Sequence, residues 1–163
     1  MADALVLTVS GDDQPGVTAG LNTALSHLPV HIKQLEQIVL QGHLVLGVVL
    51  TGGNADEYAD ALATATEFAQ ARGMTVANRT IPESDLDHWR ERIVVTVLGS
   101  PLVPSAVAAI TATIAAAGGN IDRIRQVAMY PVTAIEFEVG GVPMLALREQ
   151  LDRKSTRLNS SHT

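Results

Sequence analysis

The sequence predicts an α+β protein built from two successive copies of one βαββαβ unit, the second copy lacking its last strand. Three observations lead to this fold class: a repeat at a nearly fixed offset, the same order of strand-like and helix-like segments in both copies, and enough apolar residues for a core. Apolar residues make up 47% of the 163 positions. That share fits a globular chain with one ordinary domain or two small ones.

A repeat with an offset of 88 to 89 residues organises the chain. Residues 5–9 match residues 93–97 at a shift of 88, and a one-residue insertion then changes the shift to 89. A repeated supersecondary unit is therefore expected. The later matches fall mostly on positions typical of a core: Pro15 with Pro104, Leu21 with Ile110, Leu25 with Ile114, Ile32 with Ile121, Leu35 with Ile124, Gln37 with Gln126, Leu46 with Ile135, and Gly52 with Gly141.

The first unit opens with a strand and a helix. Residues 4–10 are rich in β-branched and leucine side chains, and the polar loop at residues 12–16 interrupts this strand. The apolar side chains that follow recur every three or four residues and predict a helix that ends before Pro29. They are Val17, Leu21, Leu25 and Leu28.

Two strands, a second helix and a last strand complete the first unit. Residues 30–40 and 44–51 predict strands joined by a tight hairpin at residues 41–42. Asn54 is placed to cap the second helix, and residues 74–80 supply the last strand. This order predicts a ferredoxin-like fold, in which two helices cover one face of an antiparallel sheet.

The second unit repeats the plan from residue 92 onward. Residues 105–117 predict a helix, and strands follow at residues 121–130 and 132–139. The counterpart of the last strand would fall beyond the sequence, so the first strand of this unit is expected to leave backbone groups unpaired. The predicted division is a first domain at 3–80, a polar linker at 81–91, and an incomplete second domain at 92–153.

Residues 154–163 are predicted to be a non-native tail. The segment has neither helical nor strand periodicity, and it is similar to vector-derived read-through. A disordered native terminus is the alternative.

Composition excludes several classes of function. There are 17 acidic and 11 basic residues, a net charge of −6, so a basic surface for nucleic acid is not expected. The chain has no cysteine, which excludes a disulfide framework and a thiolate nucleophile. Because it has no basic leader and no apolar run near ~18 residues, we expect a cytoplasmic protein without a membrane partner.

The sequence shows no catalytic or metal-binding pattern. Asp85 and Asp87 have the spacing of the aspartates in haloacid-dehalogenase-type phosphatases. They follow a polar segment instead of a buried strand, so we interpret them as part of an exposed linker. The five histidines lack metal-ligand spacing. An RNA-recognition module needs aromatic residues on its first strand, and an acylphosphatase needs an arginine in its first loop; the chain has neither.

Two turns are candidate sites for a small ligand. In the turn at residues 13–18, Gly16 lets the backbone approach a ligand, and free amides at the helix start attract a carboxylate. The Asp13 carboxylate is available there for an ammonium group. In the turn at residues 118–122, Asn120 can both donate and accept hydrogen bonds. Ordinary turn chemistry is the alternative for both segments.

A resemblance to a known family depends on several segments taken together. They are residues 8–18, 94–101, 119–125 and 131–133, with Glu136. Over roughly residues 3–151 the chain resembles the tandem ACT region of actinobacterial phosphoserine phosphatases. The resemblance implies a regulatory, non-enzymatic chain that binds L-serine as a feedback effector and forms a homodimer through its ACT domains. In full-length members, a Mg²⁺-dependent catalytic domain follows and hydrolyses O-phospho-L-serine.

The resemblance also implies which residues bind the ligand. No cofactor is expected in this chain, since Mg²⁺ belongs to the catalytic domain. Ser105 departs from the family, whose close members have glycine there, and it adds a side chain where a ligand approaches. An ACT pair from another host, such as a glycine-cleavage-type regulator, is the alternative. The family's first-loop aspartate and glycine map to Asp13 and Gly16, and its second-unit stretch maps to Asn120, Ile121 and Asp122. With the neighbouring residues of the first turn, Gln14, Val17 and Thr18, these are the predicted ligand-binding residues.

Overall fold

The computed structural model describes residues 2–86 and 91–160. The chain divides into two compact units, residues 1–86 and residues 87–163. Each unit has the α+β architecture with the strand and helix order predicted from the repeat, so the predicted fold class is confirmed.

Unit 1 contains a four-stranded antiparallel sheet in the order β2-β3-β1-β4. Two helices connect its strands in the βαββαβ pattern, which is the ferredoxin-like arrangement. The bounds are β1 Asp3–Asp12, α1 Val17–Leu25, β2 His31–Leu40, β3 His43–Thr51, α2 Ala55–Gln70 and β4 Thr75–Pro82.

The core of unit 1 lies between the sheet and the two helices. Successive strand residues point to opposite faces, so alternate positions of β1 and β3 are buried, among them Leu7 and Leu46 at 0% exposure. Leu21 on α1 and Ala65 on α2 are also fully buried and pack into the same cluster. The apolar stripe predicted for α1 is confirmed as far as Leu25, where the helix ends.

In unit 1, a tight turn joins β2 to β3, and β4 ends in a 3₁₀ turn. Gln41 and Gly42 have φ angles of 47° and 84°, the pair of positive values that a two-residue hairpin requires, so the predicted hairpin is confirmed. β4 extends to Pro82, opposite Asp3, and a 3₁₀ turn covers Glu83–Asp85. The first part of the predicted linker therefore belongs to unit 1, whereas residues 87–90 lie outside the described residues.

Unit 2 contains a three-stranded antiparallel sheet in the order β5-β7-β6. This is the order of unit 1 without a counterpart of β4, so the predicted lack of a last strand is confirmed for the described residues. Its smaller core includes Val97, Ile114, Phe137, Val139 and Leu147. The bounds are β5 Ile93–Gly99, α3 Pro104–Ala116, β6 Asn120–Ala128, β7 Thr133–Gly140 and α4 Met144–Ser160.

Residues 154–160 form the end of α4, which continues to Ser160, although the sequence has no helical periodicity there. Leu147 is 1% exposed and starts the buried face of this helix. Extending a helix that has already formed needs no new nucleation, and lysine, arginine and leucine have high helix propensity. Residues 161–163 lie outside the described residues, and the non-native origin of the segment stays a prediction.

Candidate functional site

Hydrogen bonds within unit 1 hold the turn between β1 and α1. The N–H of Asp13 donates to the carbonyl oxygen of Gly42 at 2.8 Å. The side-chain amide of Gln14 donates to the carbonyl oxygen of Arg72 at 3.1 Å. These bonds tie the turn to the β2–β3 hairpin and to the segment after α2, which fixes its backbone in front of α1.

The N-terminus of α1 has open hydrogen-bond donors. Gly16 precedes the helix with a φ of 84°, a left-handed conformation that glycine adopts without steric cost, and no side chain caps the helix. The first bond along the helix joins the N–H of Gly20 to the carbonyl oxygen of Gly16 at 2.8 Å. The N–H groups of Val17, Thr18 and Ala19 come before this bond, so they have no acceptor within the helix itself.

The N-terminus of α2 is closed by its own side chains. Asn54 Oδ1 accepts from the N–H of Glu57 at 2.9 Å, and Glu57 Oε2 accepts from the N–H of Asn54 at 2.7 Å, a reciprocal capping box. Asp56 adds a second carboxylate to the first turn, whereas the first turn of α1 has no acidic residue. An anion is therefore favoured at α1 and repelled at α2.

The predicted ligand residues of the first turn offer different groups. Val17 is 2% exposed and belongs to the core, so only its N–H can reach a ligand. The Thr18 hydroxyl donates to Oε1 of Gln37 on β2. Asp13 is exposed, and no cation pairs with its carboxylate in the described part of the chain. The turn thus presents amide donors, a carboxylate and a hydroxyl–amide pair at one end of α1.

The polar residues predicted to bind a ligand in the second turn already interact with each other. The Asn120 side-chain amide donates to Asp122 Oδ1 at 2.8 Å, and Arg92 Nε lies 3.3 Å from Asp122 Oδ2. Ile121 is half-buried and packs against the core of unit 2. The structure therefore brings Asn120 and Asp122 together, but the carboxylate already has a cationic partner.

The N-terminus of α3 offers fewer donors than that of α1. Pro104 is the first helical residue and has no N–H. The N–H groups of Ala106 and Val107 both donate to the carbonyl oxygen of Val103, at 3.1 Å and 3.3 Å. Among the described residues of this first turn, the N–H of Ser105 comes before these bonds and has no acceptor within the helix. Unit 1 is consequently the better site for a carboxylate.

A ladder of paired charges on β6 and β7 was missed by the sequence analysis. Arg125 Nη2 lies 2.9 Å from Glu136 Oε2, and this hydrogen bond together with the charge of Glu136 raises the pKa of Arg125. Arg123 Nη1 and Arg92 Nη1 each lie 3.6 Å from a carboxylate oxygen of Glu138. Alternating arginines on one strand and glutamates on the next were the available signal.

A cavity of about 650 Å³ lies at the opposite end of β1, beside the start of α2. The Tyr58 hydroxyl at its wall accepts from the N–H of Gly53 at 3.2 Å and donates to the carbonyl oxygen of Asp3 at 2.7 Å. Burial is the main cause that raises the pKa of Tyr58. Asn78 and Thr80 line the β4 side of the cavity. No sequence pattern predicted this cavity, because it depends on how α2 lies across β4.

Two classes of site are absent from residues 2–86 and 91–160. No group of three or more histidine and acidic side chains is arranged to hold a metal ion there. Over the same residues, no helix is both long enough and apolar enough to cross a membrane.

Comparison with protein families gives two matches, both to models of the ACT domain. One model matches residues 3–78 and the other matches residues 92–159. The two matched segments follow the division of the chain into two units.

Two curated relatives are phosphoserine phosphatases. The protein from Streptomyces coelicolor is 37% identical over 154 residues, which cover 94% of this chain and 38% of that protein. Phosphoserine phosphatase SerB2 from Mycobacterium tuberculosis is 34% identical over 143 residues, 86% of this chain and 34% of that protein. The chain thus spans little more than a third of either relative.

Two solved structures share the fold over nearly the whole chain. An unknown protein from Galdieria sulphuraria superposes with a TM-score of 0.77 at 18% identity, covering 99% of this chain and 94% of its own. A protein described as a glycine cleavage system transcriptional repressor gives 0.74 at 15% identity, covering 98% and 94%. At these identities the likeness shows the fold alone.

Proposed function

The chain belongs to the ACT domain family, with two such domains in tandem, and on this premise we propose that it is the regulatory region of a phosphoserine phosphatase and binds L-serine as a feedback effector. The observation that carries the proposal is the open N-terminus of α1, which the exposed residue Asp13 precedes in the same turn. A free amino acid has the complementary pair of charges, a carboxylate and an ammonium group.

The groups at this turn match a zwitterion. The ligand carboxylate accepts hydrogen bonds from the N–H groups of Val17, Thr18 and Ala19, where the helix dipole favours negative charge. The ligand ammonium group pairs with Asp13. A charge-assisted hydrogen bond of this kind contributes about 1.5–3 kcal/mol.

The contact between Thr18 and Gln37 gives the site a means to select serine over glycine. The Thr18 hydroxyl donates to Gln37 Oε1, so the amide nitrogen of Gln37 is the group available for the hydroxyl of a ligand. Glycine has no hydroxyl, so with glycine bound this exposed amide would donate to water and add nothing to the affinity. Sites that hydrogen-bond a ligand hydroxyl discriminate against the analogue that lacks it.

In the longer protein, the ligand would act by shifting a conformational equilibrium. A ligand that binds one arrangement of the ACT domains more tightly changes the population of that arrangement by its differential affinity. The catalytic step, hydrolysis of O-phospho-L-serine with Mg²⁺, would belong to a separate domain. The homodimer forms through the ACT domains, for which β2 offers an exposed apolar strand; Ile32, Ile38 and Leu40 are 52%, 55% and 69% exposed.

Isothermal titration calorimetry of the chain with L-serine, D-serine and glycine tests the proposal. We expect a saturable heat for L-serine and an affinity at least about tenfold lower for Asp13→Asn, which corresponds to about 1.4 kcal/mol. Asp12→Asn is the matched control, because it removes the same charge from the neighbouring exposed residue. Absence of heat with every amino acid, or an equal loss in both variants, would contradict the assigned site.

Titration with glycine distinguishes the two kinds of protein to which an ACT pair could belong, a phosphoserine phosphatase and a glycine-cleavage-type regulator. If Gln37 donates a hydrogen bond to the hydroxyl of L-serine, Gln37→Leu should weaken L-serine binding and leave glycine binding unchanged. A wild-type chain that prefers glycine over L-serine would instead support a glycine-responsive regulator.

A further inference from the structure

The cavity between α2 and β4, called the α2–β4 cavity below, is lined by residues of unit 1 and has a volume of about 650 Å³. Small-molecule sites typically have volumes of about 300–1,000 Å³. The cavity lies at the other end of β1 from the turn proposed to bind L-serine, and the two places share no residue. The α2–β4 cavity is therefore large enough for a ligand of its own.

Small side chains on α2 keep the space beside β4 open. Ala55, Ala59 and Leu62 are spaced by four and three residues, so they lie on one face of the helix and line the cavity. Leu5, 2% exposed, and the ring of Tyr58, 6% exposed, add an apolar wall. From residue 55 to residue 62 the helix rises about 10 Å, the length of a molecule with one ring and a short chain.

Polar side chains line the β4 side of the cavity. Successive strand residues point to opposite faces, so Asn78 and Thr80 lie on the helix side of the sheet, whereas Arg79 lies on the other side. Thr80 pairs with Leu5 and is the diagonal neighbour of Asp3, which also lines the cavity. A carboxylate and a hydroxyl therefore lie at one end of the cavity, and an amide lies farther along β4.

The charges around the α2–β4 cavity favour a cation. Asp3 is the acidic residue on its wall, and its described lining residues include no lysine, arginine or histidine. Burial is the main cause that raises the pKa of Tyr58, and the charges of Glu83, Asp3 and Glu57 raise it further. The start of α2 does not reverse this preference, because its capping box with Asn54 holds the Glu57 carboxylate there. An ammonium group is consequently favoured over a carboxylate or a phosphate.

We propose that the α2–β4 cavity is a second ligand site, which binds a small organic amine with an apolar body. The ammonium group lies beside the Asp3 carboxylate and the Thr80 hydroxyl, both of which can accept its hydrogens. The apolar body packs along Ala59 and Leu62, and a polar group at its far end reaches the side-chain amide of Asn78. Binding at this site does not require L-serine at the β1–α1 turn.

Two probes with the same body and opposite charges test the chemistry of the site. Tyramine carries an ammonium group on a phenol ring with a two-carbon chain, and phloretate carries a carboxylate instead. In two-dimensional amide NMR spectra, tyramine at concentrations on the order of 10 mM should give saturable shifts at the residues that line the cavity. Phloretate should bind at least about fivefold more weakly. Equal affinities, or tyramine shifts absent from the lining residues, would overturn the proposal.

Removing the charge of Asp3 tests how the amine is held. Asp3→Asn should weaken tyramine binding by roughly two- to fivefold, the effect of an ion pair at an exposed carboxylate. Asp12→Asn removes the same charge from an exposed residue at the other end of β1 and should leave tyramine binding unchanged. Equal weakening by the two substitutions would mean that tyramine responds to net charge and would overturn the assignment to the cavity.

Filling the cavity tests its location. Ala59→Phe places a ring between α2 and β4 and should abolish tyramine binding, whereas Ala63→Phe, at an exposed position one turn farther along α2, should not. Circular dichroism checks that both variants fold. L-Serine affinity should be the same in Ala59→Phe as in the wild-type chain, which keeps a failure of this site distinct from a failure of the β1–α1 site. Tyramine binding that persists in Ala59→Phe, or tyramine that L-serine displaces, would overturn the second site.

Discussion

Gly20 occupies the face of α1 that contacts α2. A Cβ atom at this position would lie 2.6 Å from Cε2 of Phe68, far inside normal contact distance. The Arg72 guanidinium lies over the same ring, 3.7 Å from its centroid, and its Nη2 would lie 3.5 Å from the same Cβ atom. Glycine is therefore required here by the close approach of two helices.

We expect Gly20→Ala to lower the free energy of unfolding by about 1–3 kcal/mol, since overpacking outweighs helix propensity. At an unobstructed helical site the same substitution stabilises by roughly 1 kcal/mol, so the sign of the change is diagnostic. Urea denaturation followed by circular dichroism measures it. Phe68→Leu in the Gly20→Ala background should recover part of the loss, and a Gly20→Ala chain more stable than wild type would show that the helices are farther apart.

Local sequence patterns predicted the turns, but they did not predict which side chains pair across neighbouring strands. The residues at positions 13–18 could be selected because glycine and helix-start signals are local. The pairing of Asp122 with Arg92 could not, since it requires knowing that β5, β7 and β6 lie side by side. The apolar stripe of α1 predicted that Val17 is buried. The structure adds that only its backbone can contact a ligand.

Of the helices α1, α2 and α3, α2 has the most complete N-terminal cap. We expect Asn54→Ala to lower the free energy of unfolding by about 0.5–2 kcal/mol, because the Glu57 N–H loses its acceptor. Thermal unfolding followed at 222 nm measures the change. Gln70→Ala at the other end of α2 removes an exposed amide without a cap and should be nearly neutral. Equal effects of the two substitutions would mean that the capping box adds no stability.

Boundaries of elements were the part of the fold that local patterns predicted least well. β4 runs to Pro82 because the start of β1 offers it a partner, with Glu83 N–H donating to the Ala2 carbonyl oxygen at 2.9 Å. α4 continues through residues 154–160, where the sequence showed no recognisable pattern. In both cases the extension follows from an existing neighbour or helix turn, which is tertiary or cooperative information.

At the scale of the whole molecule, the two units differ in the size of their cores. Among the residues whose side chains the structure describes, sixteen buried residues form the core cluster of unit 1, and five form that of unit 2. Buried apolar area is the main favourable term in folding, and small domains with little of it are only marginally stable. The difference follows from the sheets, because the described part of unit 2 has three strands where unit 1 has four.

We therefore expect the chain to unfold in two steps, with unit 2 melting first. Differential scanning calorimetry should resolve two transitions, and a large-to-small substitution in each core assigns them to the units. The free energy of unfolding should fall by about 3–5 kcal/mol for Phe137→Ala in unit 2 and by about 2–5 kcal/mol for Leu46→Ala in unit 1. Phe137→Ala should lower only the first transition and Leu46→Ala chiefly the second. L-Serine, if bound at the β1–α1 turn, should raise the second transition, because a ligand stabilises the unit to which it binds. One cooperative transition that both substitutions lower equally would show that the two units unfold together and that the small core of unit 2 is supported by unit 1.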